Sequence, residues 1–476
     1  MSDGTAPSAR TADLLHLTMR EASQAIRSRR LSPVELVEAC LARITAVDDR
    51  IGSYILVTAE QARLAAREAE ADIAAGRWRG PLHGLPFAVK DNYFSKGVRT
   101  CANSRLLIEH VPSFSATALT RLADAGAVLL GKLNTWEYGT SMGPVYDDLP
   151  YAPARNPWNP ARFTGGSSTG AGAAVPARTA MFALGSDTGG SVRLPAAACG
   201  LQGLKPTYGL VSRHGILPNC WAFDTAGPLC WNVWDCAVVL QAIAGFDAMD
   251  PISAGTSRDY AAGLEDGVAG LTIGLIADCD CDGVHPDPAN LAQLAAAAET
   301  LARAGARIVP VALPAPVIRY RNAASVINWA ESFAIHERDF RERGGEMGQA
   351  LRDKMMAGLS VGASDYIAAL RERRLLAQAN AGLMADLDLL LMPGAFHVAA
   401  PAGDFERVAA FTGDTAMTPF SISGHPAMTL CSGFDEDGMP TNIQLVGRWF
   451  EEATLLRAAF AYESATPWRE RFPTLT

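Results

Sequence analysis

The chain has 476 residues, 49% of them hydrophobic and 19% charged, which suits a globular protein with a substantial core. Its formal charge of −9, from 41 basic and 50 acidic side chains, argues against a broad nucleic-acid surface. No apolar run reaches the roughly 20 residues that span a bilayer. The first residues lack a secretion pattern, and nine scattered cysteines suit a reducing compartment, so a cytoplasmic location is expected.

In chain order, residues 15–45 read as helical. Ser32-Pro33-Val-Glu35 is a capped start, because serine accepts an orphan N–H, proline needs no donor and Glu35 can bond back. Leu36, Val37, Cys40, Leu41 and Ile44 then form an apolar stripe. Thr58-Ala-Glu-Gln61 starts a second capped helix running through Ala75. Phe87–Val89 reads as a strand ending at Lys90. Leu119–Ala125 reads as a helix stopped by Gly126, and Val128–Leu130 as the next strand. Leu271–Ile276, Asn290–Arg303 and Ile308–Val311 suggest strand, helix, strand. Leu389–Met392, Met428–Leu430 and Ile443–Val446 are later strands, and Glu452–Tyr462 is a final helix. Strands alternating with helices predict an α/β sheet covered by helices on both sides. We expect one domain over 1–476, with N-terminal helices in 15–75 and a mostly helical lateral or cap region at about 315–386.

Chemistry concentrates in three turn-prone segments: Gly84-Leu-Pro-Phe-Ala-Val-Lys90-Asp91, Gly165-Gly-Ser167-Ser-Thr-Gly170 and Gly185-Ser-Asp-Thr-Gly-Gly-Ser191. Glycines around Ser191 allow a tight turn with several N–H groups pointing inward, which is what a developing oxyanion needs; a structural turn at a helix start is the plainer alternative. Ser167 either relays a proton or caps the stretch that follows. Lys90 ends an apolar run that would desolvate its amine and favour the neutral, proton-accepting form; otherwise it projects into water or pairs with Asp91.

Taken together, Gly165-Gly-Ser-Ser-Thr-Gly-Ala-Gly-Ala-Ala174 and Gly185-Ser-Asp-Thr-Gly-Gly-Ser-Val-Arg-Leu-Pro-Ala-Ala197 resemble the amidase signature family, and the spacings of Lys90, Ser167 and Ser191 match its pattern. Asn156-Pro-Trp-Asn159, Gly203-Leu-Lys-Pro-Thr-Tyr-Gly209, Pro426-Ala-Met-Thr-Leu430 and Ile443-Gln-Leu-Val-Gly447 extend the likeness from the first capped helix to Tyr462. The resemblance implies a large mixed sheet and an amidohydrolase acting on linear carbon–nitrogen bonds. Ser191 would be the nucleophile, Ser167 a bridging serine usually preceded by a cis peptide, and Lys90 the base and later acid. It implies an oxyanion hole from Thr188, Gly189, Gly190 and Ser191, with Ser168, Asp187 and Arg193 in support. Thr169 stands where the family more often has glycine, which costs more if positive φ is required.

Gly166-Ser-Ser-Thr-Gly170 also fits G-x-S-x-G centred on Ser168, and His214, His285, His336, His397 and His425 are available for a histidine triad. Gly126-Ala-Val-Leu-Leu-Gly-Lys132 mimics part of a phosphate loop, but Leu133 replaces the required Ser or Thr. Asp278–Asp282 reads as a turn, and Cys279-Asp-Cys281 is too closely spaced for a zinc pair, so neither metal nor cofactor is expected.

Three functions follow: an independent amidase on a small or medium carboxamide, a glutamine-hydrolysing amidotransferase A-type subunit, or a catalytically silent scaffold. Partner subunits are expected only for the second. A homodimer is compatible with the first, and no membrane or nucleic-acid contact is expected. Arg373 and Asp414 are placed by the second reading on the carboxylate and amino groups of glutamine. Trp221, Phe223 and Trp231 either line an apolar pocket or pack in the core, and Arg321, Trp329, Glu331 and His336 either face a cavity or decorate a helix.

Overall fold

The computed structural model describes residues 9–140, 148–255, 258–277 and 279–475. Its strands are β1 (Tyr54–Val57), β2 (Pro86–Lys90), β3 (Val128–Leu133), β4 (Phe182–Asp187), β5 (Gln202–Lys205), β6 (Thr225–Cys230), β7 (Thr272–Leu275), β8 (Arg307–Pro310), β9 (Leu389–Met392), β10 (Ala427–Phe434) and β11 (Pro440–Gly447). Among the described residues these eleven form one mixed sheet in the order β1-β3-β2-β4-β6-β5-β10-β11-β9-β7-β8.

Alternation along the strands divides the core into two layers. Phe87 and Val89 of β2, with Phe182 and Leu184 of β4, face one layer, which includes Val238, Val239 and Leu240 of helix Val233–Ile243 and Leu455, Leu456 and Ala459 of helix Glu452–Ser464. Ala88 and Ala183 face the other, against Val37, Cys40, Leu41 and Ile44 of helix Pro33–Ile51 and Ala62 and Ala66 of helix Ala59–Ala74. The expected α/β sheet with helices on both faces is what the chain forms.

The Ser32 capping box forms as expected, with Ser32 Oγ accepting from Val34 N and Glu35 reaching back to Ser32 N (3.1 Å). The Thr58 cap does not. Thr58 precedes helix Ala59–Ala74, but its hydroxyl donates to the Leu129 carbonyl (3.2 Å), because β1 pairs with β3 and draws the threonine onto the sheet. Residues 15–75 therefore contain a strand as well as helices. The 315–386 region consists of helices Val317–Arg343, Gln349–Leu359 and Ala363–Leu383. The turn read at Asp278–Asp282 is present as a Cys281–Val284 bridge; Asp278 itself lies outside the described residues. No helix among the described residues is long and apolar enough to cross a membrane.

Candidate active site

The site follows from strand direction. β2 runs parallel to β4, with Val89 opposite Leu184, so the C-terminal ends of both strands emerge on the same side. That places Lys90, the last residue of β2, beside Ser186 and the turn that follows β4. Lys90 is fully buried. Its Nζ donates to Ser167 Oγ (2.7 Å) and Ser186 Oγ (3.0 Å), and Asn92 Nδ2 donates to the same Ser186 hydroxyl (3.0 Å). Lys90 does not pair with Asp91. That carboxylate faces the opposite way, to Lys132 Nζ (2.9 Å) and the amides of Cys101 and Ala102. Burial lowers the Lys90 pKa to about 7, against a partial upward pull from Asp224 and Asp187. Gly139 (φ +72°) lets the chain close over this amine: a Cβ there would lie 3.2 Å from Nζ and 3.6 Å from Ser167 Oγ.

Ser167 sits in a turn joined by a cis Gly166–Ser167 peptide. Its carbonyl accepts from Trp136 N (3.2 Å) and Thr135 Oγ1 (3.0 Å), and its hydroxyl faces Lys90, so it caps no helix. Gly165 (φ +70°) is required here, since a Cβ would meet the Leu194 carbonyl oxygen at 2.6 Å. Thr169 opens helix Thr169–Ala174 without positive φ, so its departure from glycine brings no left-handed backbone strain. Ser168 Oγ donates to the Ser186 carbonyl (3.4 Å), and its amide donates to the Ser191 carbonyl (3.3 Å), joining the two serine turns. No histidine among the described residues bonds Ser168, which removes the histidine-triad alternative.

The Ser191 turn is built on a buried ion pair. Arg193 Nε and Nη2 donate to the two Asp187 oxygens (3.0 and 2.9 Å), and the other Arg193 donors reach Met417 O, Gln444 Oε1 and Ser421 Oγ. Burial alone would raise Asp187, but Arg193 reverses that and holds the carboxyl below its usual range. Asp187 also accepts from Gly190 N (2.8 Å) and Val192 N (3.1 Å). This corrects the expected oxyanion hole: the Gly190 amide is turned inward to Asp187. The Thr188, Gly189 and Ser191 amides have no acceptor among the described residues.

Ser191 opens into a cavity of about 380 Å³, lined among others by Gly166, Thr188, Gly189, Phe223, Trp329 and Lys354. Phe223 and Arg321 thus line this cavity. Trp221 does not: it is 49% exposed and lines a separate cavity that Ser186 and Asp224 also border. Arg373 lies behind Phe223, its guanidinium 5.0 Å from the ring centroid, and donates to the Ala222 (2.8 Å) and Ile422 (3.2 Å) carbonyls. The Asp414 carboxylate bonds His397 Nε2 (3.2 Å) behind Arg321. Neither expected glutamine-binding residue lines the cavity. Trp231 packs against Phe472, while Glu331 and His336 are buried in the helical region. The sequence reading missed Asn92, Ser186, Asn219, Asp224 and Lys354; Ser186 lies within the Gly185–Ser191 segment but was given no role there, and the other four belong to no local motif that marks them.

A sequence profile of the Amidase family matches residues 35–456. The chain belongs to the amidase family. It is 39% identical to the A-type subunit of the glutamyl-tRNA(Gln) amidotransferase of Moorella thermoacetica, over 97% of this chain and 99% of that one. The peptide amidase of Stenotrophomonas maltophilia superposes with a TM-score of 0.84 at 32% identity, covering 96% of this chain and 98% of that one. A protein described as revealing the origins of an s-triazine catabolic enzyme gives 0.86 at 32% identity, covering 94% and 98%. As an amidase-signature enzyme, the chain hydrolyses carboxamides by Ser–cisSer–Lys chemistry through an acyl-enzyme.

Proposed function

We propose that this amidase releases ammonia from a primary carboxamide, with glutamine as the first candidate, in the manner of an amidotransferase A-type subunit. The observation that carries this reading is the end-to-end likeness to the Moorella protein. Ser191 attacks the carbonyl carbon, its proton passes to Ser167, and the Ser167 proton passes to neutral Lys90 across the 2.7 Å contact. The oxyanion is met by the free amides of Thr188, Gly189 and Ser191. Lys90 returns its proton through Ser167 to the leaving nitrogen, and water repeats the route on the acyl-enzyme. A second reading, an independent amidase for another amide, is favoured by the engagement of Arg373 and Asp414 away from the cavity.

The test is ammonia release by the purified chain, alone and with its amidotransferase partner subunits, from glutamine and from aryl, aliphatic and acidic amides. Glutamine turnover that requires the partners supports the first reading. Partner-free turnover of another amide supports the second, and no ammonia from any of them removes both.

The Lys90 environment sets a pH profile. Below its folded pKa the amine is an ammonium and accepts nothing; above it the base is available. With a neutral amide, log(kcat/KM) will rise with unit slope and level off past a midpoint of about 7. A profile flat from pH 5 to 9 would remove Lys90 from the proton route.

A further inference from the structure

The cavity at Ser191 is lined by two basic side chains, Arg321, which pairs with Asp414 (3.9 Å), and Lys354, and by no carboxylate among its described lining residues. Lys354, on helix Gln349–Leu359, is 2% exposed. Its ammonium donates to Thr140 Oγ1 and to Asn219 Oδ1 (2.9 Å), and no carboxylate stands within ion-pair distance among the described residues. Two of its three N–H bonds are used, and the third has no acceptor among those residues. Burial lowers its pKa to about 7, against a partial upward pull from Cys220 and Asp224, so an anion placed beside it would favour the charged form. Asn219 Nδ2 in turn donates to Thr188 Oγ1 (3.0 Å), so Lys354 is two hydrogen bonds from the turn that carries Ser191. An unpaired ammonium held out of water is costly, and a substrate anion would relieve that cost.

A substrate ammonium would meet the opposite situation, because the nearby carboxylates are already engaged. Asp224 accepts from Thr188 Oγ1 (2.6 Å) and from the Asn219 and Cys220 amides. Glu331 accepts from the Ala222 amide (2.9 Å) and Tyr366 OH (2.8 Å). Asp414 is held by His397.

We propose that Lys354 is a specificity-determining residue that binds a carboxylate on the acyl portion of the substrate, so that the preferred substrates are monoamides of dicarboxylic acids carrying no ammonium group. This rests on amide hydrolysis at Ser191, as proposed above. It departs from glutamine, which carries an α-ammonium, and favours the second reading above, an independent amidase for another amide.

The experiment compares glutaramate, which is glutamine without its α-ammonium, with glutamine and with neutral butyramide, in the wild-type protein, K354M and K354R. In the wild type, kcat/KM for glutaramate will exceed that for each of the others by about 10- to 100-fold, the range of a charge-assisted hydrogen bond. K354M will raise KM for glutaramate by a similar factor and leave that for butyramide within about threefold. K354R will keep the preference for the anion. Glutamine turned over as well as glutaramate by the wild type, a comparison that needs no variant to fold, overturns the proposal, and so does an equal loss on glutaramate and butyramide in K354M. Absence of Ser191-dependent turnover on all three amides sinks the catalytic reading itself.

Discussion

Ser191→Ala will lower kcat by about 10⁴-fold or more while leaving the fold intact. The two halves of that expectation have separate causes. The hydroxyl is the only atom of this side chain that forms a bond to substrate in the proposed route, and the remaining donors cannot attack a carbonyl. Its removal leaves little behind to destabilise, because Ser191 is only partly buried and its Oγ has no hydrogen-bond partner among the described residues. Turn geometry comes instead from Asp187, through Gly190 N and Val192 N. The unfolding free energy will therefore stay within about 0.5 kcal/mol of wild type. Steady-state turnover, chemical denaturation and labelling by an acyl-serine probe check the three parts together. Retained turnover, or probe labelling that persists in the variant, would move the nucleophile elsewhere.

What the sequence revealed and what it hid divide along a physical line. Chain-local patterns were readable: the Ser32 box, the strand at Leu389–Met392 and the two serine turns each carry their signal within a few residues. Strands β4, β5 and β6 went unread. All three are buried on both faces, so they show no alternation, and their glycines and polar residues (Gly185, Ser186 and Asp187; Gln202 and Gly203; Thr225 and Gly227) break the continuous apolar run that marks Leu389–Met392; β6 also contains Pro228. Pro228 stands opposite Leu184 inside the β4–β6 ladder and just past the last β5–β6 pair, Gly203–Leu229.

The same division holds in the site. Lys90, Ser167 and Ser191 lie in glycine-rich segments that stand out on inspection. Asn219 and Lys354 meet only because helix Gln349–Leu359, packed against helix Val317–Arg343, brings them together across 135 positions of chain. Arg373 and Asp414 were placed by likeness alone. The structure withdraws the first behind Phe223 and ties the second to His397, because likeness in sequence does not fix where a long side chain points.

Arg193→Met will be the most damaging change away from the reacting atoms. Arg193 and Asp187 are both wholly buried, and the guanidinium spans the Ser191 turn, the Met417 carbonyl and Gln444 of β11. Methionine fills part of the volume but leaves the Asp187 carboxylate without its counter-charge, a change that costs about 3–5 kcal/mol. The pH dependence identifies the cause. In the wild type the Asp187 pKa is depressed, so its contribution is present above the unfolded value and is lost as pH falls through the folded one. In the variant, burial without Arg193 will raise that pKa, the native state will hold the extra proton, and stability will fall as pH rises. The deficit against wild type will therefore be smaller at pH 4 than at pH 7. Denaturant midpoints at both pH values measure it, with unchanged slopes showing that the same surface unfolds. A protonated Asp187 also accepts more weakly from Gly190 N and Val192 N, so the turn loosens and kcat will drop by at least about 100-fold, as misplacement of a catalytic group by an ångström does. A variant with wild-type stability and the same pH slope would show that this pair does not hold the nucleophile in place.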